Sequence, residues 1–295
     1  MTAGPPAVAT AEWIGIAAQV ACTLEAIAPK PGNVHPAADF GDARFEDFLV
    51  SAAAIGPVLA RAGDRGVGRT ILEAVRATRR WVGTNTNLGI VLLLAPLAKA
   101  AAAAARDGDP AALRAHLARV LAGLDVQDAR DAYAAIREAA PGGLGTAPAH
   151  DVREPPNVTL REAMAAAADR DAVAREYVTD YAVTFDLAWP ALQRARRDGL
   201  PWPDAVVETF LAVLADVPDT LVARKCGAEA SAAVSREARG VRDRGGVRTE
   251  AGRRALAAFD RALRDPKNRR NPGTTADLVA AALFVHWVTG QERRR

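Results

Sequence analysis

The chain has 295 residues, 50% of them hydrophobic and 5% aromatic, with a formal net charge of +3 at pH 7. That is enough apolar material for a buried core, and the length alone allows one domain or two. The mild basicity carries no stripe of Lys and Arg with interleaved aromatics, which argues against a nucleic-acid partner and suits a polyanionic small substrate such as a nucleotide equally well.

Ala, Leu and Arg dominate the composition, and all three favour helix. Cys22 and Cys226 lack the spacing of a metal or redox pair and read as buried structural thiols. Residues 1–10 show neither the basic flank nor the apolar core of an export signal and are expected to be disordered. The longest apolar run, Leu88 to Ala98, is about half of the ~20 residues that a membrane span requires, and Pro96 interrupts it. The expectation is a soluble, cytoplasmic protein with no membrane partner.

In chain order, Trp13, Ile16, Val20, Leu24 and Ile27 fall at helical spacing over Glu12–Ala28. Pro29-Lys30-Pro31-Gly32 must stop that helix, because proline disfavours the helical state of the residue before it. A loop over 33–42 follows, then helices over Phe45–Leu59 and Thr70–Trp81. Gly83 to Asn87 breaks the second of these before a strongly apolar helix from Leu88. Further helices are expected at Ala111–Leu124, Val126–Ala139, Leu160–Ala168, Val173–Leu187, Pro203–Val217, Thr220–Ala238, Thr249–Leu263 and Thr275–Val288. No period-two alternation and no βαβ rhythm appears. The chain therefore reads as all-α, a single helical domain over 11–290, with a long loop or internal boundary at 141–156 and a frayed end at Arg293–Arg295.

Four polar segments at helix breaks are the places to look for chemistry. The first is Lys30 to His35, followed by Asp39 and Asp42, where a proline-framed lysine suits a phosphate and the histidine and carboxylates suit proton transfer or a metal. A plain helix stop with Asp42 capping the next helix explains it as well. The second is Thr84-Asn85-Thr86-Asn87 before Leu88-Gly89, a helix start suited to an anion or a ribose hydroxyl, though capping alone needs one such residue. The third, Asp219 to Lys225, reads by default as an N-cap with solvated Arg224 and Lys225, and otherwise as a metal carboxylate beside two phosphate-neutralising cations. The fourth is Asn271-Pro272-Gly273-Thr274-Thr275-Ala276-Asp277, a turn feeding a helix start that is also suited to phosphate or magnesium. It lacks the Gly-Lys-Ser/Thr end of a Walker loop.

Together these segments resemble the motif set of the triphosphoribosyl-dephospho-CoA synthase family, in order and approximate spacing over nearly the whole chain. The resemblance lies in Pro29-Lys30-Pro31-Gly32, in Asn85-Thr86 with Gly89, in Asp219-Thr220 followed by Arg224 and Gly227, and in Pro272-Gly273 with Ala276-Asp277-Leu278. Where the family pattern has His-Lys, this chain has Asn87-Leu88. That text is similar to a divergent branch found in archaea and in bacteria with methanopterin-type one-carbon carriers.

The resemblance implies an all-α transferase that uses ATP as ribosyl donor, expels adenine and joins the 5-triphosphoribosyl group to the ribose 2-hydroxyl of dephospho-CoA. It implies Mg2+ with the triphosphate. It assigns Lys30 and Arg224 to phosphates, with Asn33, Thr84, Asn87, Lys225, Thr274 and Thr275 in the same nucleotide set and Asn85 and Thr86 at ribose or phosphate. Asp219 and Asp277 become metal ligands, and His35, Asp39 and Asp42 proton-transfer groups. The alternatives are a family member in one-carbon cofactor biosynthesis (methanopterin or methanofuran type) acting on another phosphorylated acceptor, and a non-catalytic helical scaffold. Four polar motifs at helix starts argue against the scaffold. A homodimer is compatible with the amount of apolar helix surface, and no segment marks its interface.

Overall fold

A computed structural model describes residues 10–104, 110–142, 145–147 and 149–290. The expected disordered N-terminus (except residue 10), the terminal arginines and positions 143, 144 and 148 of the 141–156 loop lie outside the described residues. Fourteen α-helices are formed among the described residues, with no strand and one isolated bridge between His35 and Ala38. They are α1 (Ala11–Ile27), α2 (Phe45–Leu59), α3 (Val67–Arg79), α4 (Leu88–Ala103), α5 (Pro110–Ala122), α6 (Val126–Ala139), α7 (Leu160–Ala165), α8 (Ala172–Val178), α9 (Trp189–Arg197), α10 (Trp202–Asp216), α11 (Thr220–Cys226), α12 (Ala228–Asp243), α13 (Glu250–Leu263) and α14 (Gly273–Val288). The all-α expectation matches this architecture. No helix among the described residues is long and apolar enough to cross a membrane.

The core is built on α4 and α14, which pack on each other and are apolar around most of their circumference. A helix without a polar face must be enclosed by others. Accordingly α1 lies on α2 and α14, α5 on α4, α3 on α6, and α10 on α12 and α14. The stripe that α1 buries differs from the one its large residues suggest. Ile14, Ala17, Ala18, Ala21, Cys22, Glu25 and Ala26 are buried, while Ile16 is exposed and Trp13, Val20, Leu24 and Ile27 are only partly covered. Small side chains let neighbouring helices approach closely, so the face rich in Ala wins. Cys22 is buried as expected, whereas Cys226 is only half-buried.

Two helices expected to be continuous are broken. Gly227, at φ +92°, separates α11 from α12 within Thr220–Ala238, a left-handed conformation that glycine adopts cheaply. Within Val173–Leu187, α8 ends at Val178, and Asp180 and Tyr181 follow at φ +50° and +60°. The chain restarts as a π-helical turn, Val183–Ala188, that runs into α9, a helix the periodicity did not reveal. The buried Glu176 stabilises this restart by accepting hydrogen bonds from the Val183 and Thr184 amides and from Thr184 Oγ1. Burial pushes its carboxyl up, and these donors oppose the shift.

The same break places two tyrosines against α4. Pro96 has no N–H, so it cannot bond the carbonyl of Leu92 one turn earlier. Tyr177 Oη donates to that carbonyl at 2.6 Å, and Tyr181 Oη donates to the Leu93 carbonyl at 3.0 Å. Both rings are fully buried. Tyr177→Phe should therefore cost about 1–3 kcal/mol in urea denaturation, the price of an orphaned buried acceptor. Adding Pro96→Ala should recover part of that loss, because the new amide reaches the Leu92 carbonyl. No recovery would mean that the hydroxyl acts in some other way.

Candidate active site

The loop that follows α1, the starts of α4, α11 and α14, the start of α8 and the segment after α6 surround one cavity of about 630 Å³. That size lies within the usual range for ligand sites, ~300–1,000 Å³.

Three of the helix starts are tied to one another. Asp219 is fully buried and caps α11, with Oδ1 accepting from the amides of Leu221 and Val222 at 2.9 and 3.0 Å. Its Oδ2 accepts from the amide and the hydroxyl of Thr275 at 2.7 and 2.8 Å, so the same carboxylate also holds the first turn of α14. Thr220 Oγ1 donates to Thr274 Oγ1 and accepts from the amide of Ala172, which brings in α8. Asp171 caps α8 through the amides of Val173 and Ala174, and its second oxygen pairs with Arg224 at 2.6 Å. Asp219 was expected as a metal ligand. Both its oxygens are instead committed to four donors and it does not reach the cavity wall, so it is the N-cap. Thr275 is likewise turned to Asp219, while Thr274 lines the cavity.

The turn before α4 is held on three sides. Asn85 Oδ1 accepts from the amide of Leu88, Thr86 Oγ1 bonds Ser51 Oγ of α2 at 2.6 Å, and Asn87 Nδ2 donates to Thr78 Oγ1 of α3 at 3.0 Å. Thr84 to Asn87 all line the cavity, yet the bonds to Ser51 and Thr78 already engage the Thr86 and Asn87 side chains. Thr84 and the Asn85 amide nitrogen keep capacity for a ligand. Gly89, in the first turn of α4, faces Asp277 on α14. A Cβ added there would run into the Asp277 carboxyl group, so any larger residue would have to displace it. Asp277 lines the cavity and makes no hydrogen bond to the described residues.

The loop after α1 is pinned by α13. The Gly32 amide donates to Asp260 Oδ1 at 2.8 Å, and Arg264 Nη2 donates to the Asn33 carbonyl at 2.8 Å. Gly32 sits at φ +73° against Leu263, with no room for a side chain. This places Asn33 at the cavity but turns Lys30 away from it. Lys30 is fully buried, its ammonium donating to the carbonyls of Glu25 and Ala28 and pairing with Glu25 Oε1 at 2.8 Å. The expectation of a phosphate-binding Lys30 is therefore corrected. Its protons are committed to Glu25 and Ala28, and it is absent from the cavity lining. His35 does not line the cavity either. It accepts from the Ala37 amide, and burial together with Arg264 pushes its imidazole below the ordinary value. Arg44 is the N-cap of α2, and Asp39 Oδ1, not Asp42, accepts from the Phe45 amide of its first turn. Of the three expected proton-transfer groups, Asp42 alone lines the cavity.

The cavity also gathers residues that the sequence did not single out. Glu25 is 5% exposed and lines it. Arg170 and Lys267 join Arg224 and Lys225 as cations at its wall. Asn271, which opens the fourth polar segment, lines the cavity too, with a buried Oδ1 that has no hydrogen-bond partner among the described residues. Beyond α6, Tyr133 Oη donates to the His150 carbonyl and Arg137 to the Val152 carbonyl, which sets Asp151 and its neighbours along the wall. Arg153 pairs with Asp151 and holds its carboxyl well below the usual carboxylate range. Asp277 is pushed the other way. Burial raises it well above that range, the carboxylates of Glu25, Asp219 and Asp171 add to the shift, and Arg224 opposes it. The one signal for Glu25 in the sequence is a lone carboxylate between Leu24 and Ala26 on an otherwise apolar stretch of helix.

A family model described as ATP:dephospho-CoA triphosphoribosyl transferase matches residues 11–295. A Klebsiella pneumoniae protein named 2-(5''-triphosphoribosyl)-3'-dephosphocoenzyme-A synthase is 38% identical over 104 residues, 35% of this chain and 36% of that protein. A Pseudomonas savastanoi pv. phaseolicola protein of the same name, qualified as probable, is 39% identical over 100 residues, 34% of each chain. The matched region thus spans about a third of the length of these curated relatives. An Archaeoglobus fulgidus crystal structure bearing a triphosphoribosyl-dephospho-CoA synthase name has a TM-score of 0.62 at 27% identity, covering 80% of this chain and 96% of that one. With the family model matched along nearly the whole sequence, this chain belongs to the ATP:dephospho-CoA triphosphoribosyl transferase family.

Proposed function

We propose that this chain transfers the 5-triphosphoribosyl group of ATP to the ribose 2-hydroxyl of dephospho-CoA and releases adenine. The observation that carries this reading is the division of charge in the cavity. Arg170, Arg224 and Lys267 are exposed at its wall with Lys225 half-buried among them, whereas the carboxyl groups that line it include buried Glu25 and half-buried Asp277. A triphosphate needs the cations, and a cationic, oxocarbenium-like ribosyl centre is stabilised by carboxylates, as in glycoside cleavage. Thr84 and Asn85 suit ribose or phosphate oxygens. A scaffold protein has no use for such a cavity.

Magnesium enters with the nucleotide as part of the substrate. Among the described residues no group of three or more His, Cys, Asp or Glu side chains converges on a metal position. The triphosphate and water would supply most of the ion's oxygens, its ordinary partnership with nucleotides.

Incubation with ATP, magnesium and dephospho-CoA should release adenine only when the acceptor is present, and chromatography reads this directly. Lys225→Ala and Lys267→Ala should each raise the KM for ATP by about tenfold, the worth of one charge-assisted contact, with kcat little changed. ATP that stabilises the protein against heat without adenine release would move the search to another phosphorylated acceptor, including one from one-carbon cofactor assembly. No stabilisation by ATP would end the ATP-dependent reading.

Asp277 also predicts a pH dependence of stability. A carboxyl whose folded pKa is raised binds more protons in the native than in the unfolded chain, where its value is about 3.9. Wild-type stability should therefore fall as pH rises above about 4, until the native group has ionised. Asp277→Asn removes this contribution. Its Tm should exceed that of the wild type at pH 8, and the gap should narrow toward pH 4. An equal or lower Tm at pH 8 would contradict the burial of an unfavourable carboxyl.

A further inference from the structure

The ion pair beneath the cavity is not what stability alone would select. Removing an ammonium and a carboxylate from water carries a large penalty, and apolar side chains of the same volume would avoid it. Lys30 nevertheless has 0% exposure and Glu25 5%, among small apolar neighbours on the buried face of α1. The ammonium donates to two carbonyls and pairs with Glu25 Oε1 at 2.8 Å, and its side chain neither reaches solvent nor lines the cavity. Glu25 has no ion-pair partner besides Lys30 among the described residues, and it lines the cavity. The pair thus presents one oriented carboxylate to the ligand space.

Asp277 lines the same cavity with its oxygen wedged on Gly89. The surroundings of the two groups are opposite. Glu25 has an ammonium beside it, whereas the charges acting on Asp277 are mainly the carboxylates of Glu25, Asp219 and Asp171, with Arg224 alone opposing them. Glu25 thus has an ammonium at ion-pair distance, and Asp277 has no ion-pair partner among the described residues.

We propose that Glu25 is the base that takes the proton of the acceptor hydroxyl, that buried Lys30 is its positioning residue, and that Asp277 is the acid that protonates departing adenine. This assignment rests on the triphosphoribosyl-transfer reading. The hydroxyl oxygen forms the new bond to ribose C1 with its lone pair, and its proton passes to Glu25. The bond from C1 to purine N9 breaks with its electron pair going to the purine, which receives the proton of Asp277. Exchange with water returns both carboxyl groups to their starting forms, and no redox partner is needed. The upward push on Asp277 agrees with its carrying a proton before turnover.

Two ribosyl donors separate the roles: ATP, and a ribose 5-triphosphate carrying 4-nitrophenolate at C1, a group that departs without protonation. Glu25→Gln should lower kcat about 10²–10⁴-fold with both donors and leave the KM for ATP within about threefold. Asp277→Asn should lose as much with ATP but less than about tenfold with the nitrophenyl donor. Lys30→Met should reproduce the kcat loss of Glu25→Gln without raising the KM for ATP. In the Glu25→Gln background it should add nothing, as a residue acting through another must. The double variant buries no unpaired charge, so it keeps this comparison open should Lys30→Met fail to fold. Wild-type kcat in Glu25→Gln would overturn the base, and equal losses of Asp277→Asn with both donors would overturn the acid. A raised KM for ATP with normal kcat in Lys30→Met would make Lys30 a phosphate ligand. Wild-type protein that releases no adenine from ATP with any acceptor would overturn the transfer reading and this assignment together. Wild-type turnover with an unimpaired Glu25→Gln would overturn the base assignment alone.

Discussion

The carboxylate of Asp219 accepts four hydrogen bonds, two from the first turn of α11 and two from Thr275 at the first turn of α14. Burying a carboxylate is costly unless its lone pairs are filled, and here both oxygens are. Burial still pushes the group up, and the donors of Thr275, Val222 and Leu221 oppose that shift. The consequence is geometric. Once the starts of α11 and α14 share one anchor, Arg224 and Lys225 near the end of one helix and Thr274 and Asp277 on the other face a common space. The hydroxyls of Thr220 and Thr274 extend the anchor to α8, and Asp171 then holds Arg224.

This anchor explains why so few of the polar groups around the cavity remain for a ligand. Thr86, Asn87, Asp39, Asp219 and Thr275 are each spent on a neighbouring helix or cap. Helices that converge end-on expose several unpaired amides, and these must be satisfied before the end can be buried. The carboxyl groups of Glu25 and Asp277 and the cations at the wall still face the cavity.

The all-helical class, most helix starts and the four polar segments were legible because Pro, Gly, Thr and Asp act within a few residues of where they stand. Asp219 as an N-cap is one such case, and the stop at Pro29 to Gly32 is another. The functional partition was not legible, because it depends on distant contacts. Nothing in Pro29-Lys30-Pro31 reveals that the lysine turns back toward Glu25, or that Asp260 and Arg264 of α13 fix the loop. The break after Val178 was hidden for a similar reason. Neither Asp180 nor Tyr181 is a glycine that would announce a left-handed backbone, and the compensating bonds come from Glu176, from the Leu92 carbonyl that Pro96 leaves to Tyr177, and from the Leu93 carbonyl that Tyr181 reaches. Gly227 announced its break, but a glycine inside a helical pattern is often tolerated.

The misread face of α1 joins these strands. Large apolar residues at helical spacing pointed to Trp13, Ile16, Val20, Leu24 and Ile27, yet α2 and α14 pack on the stripe of alanines, Cys22 and Glu25. Close helix contact through small residues leaves little water near that stripe. Burial accordingly pushes the Cys22 thiol far above its ordinary value, and Glu25 and Asp277 add to the shift. In such surroundings local rules forbid a glutamate, and a protein built only for stability would carry another alanine or a leucine. Rules of pattern and burial fail most informatively where function overrides them. A charged group placed on the tightest face of the first helix, with a lysine enclosed to hold it and a cavity before it, is such a failure.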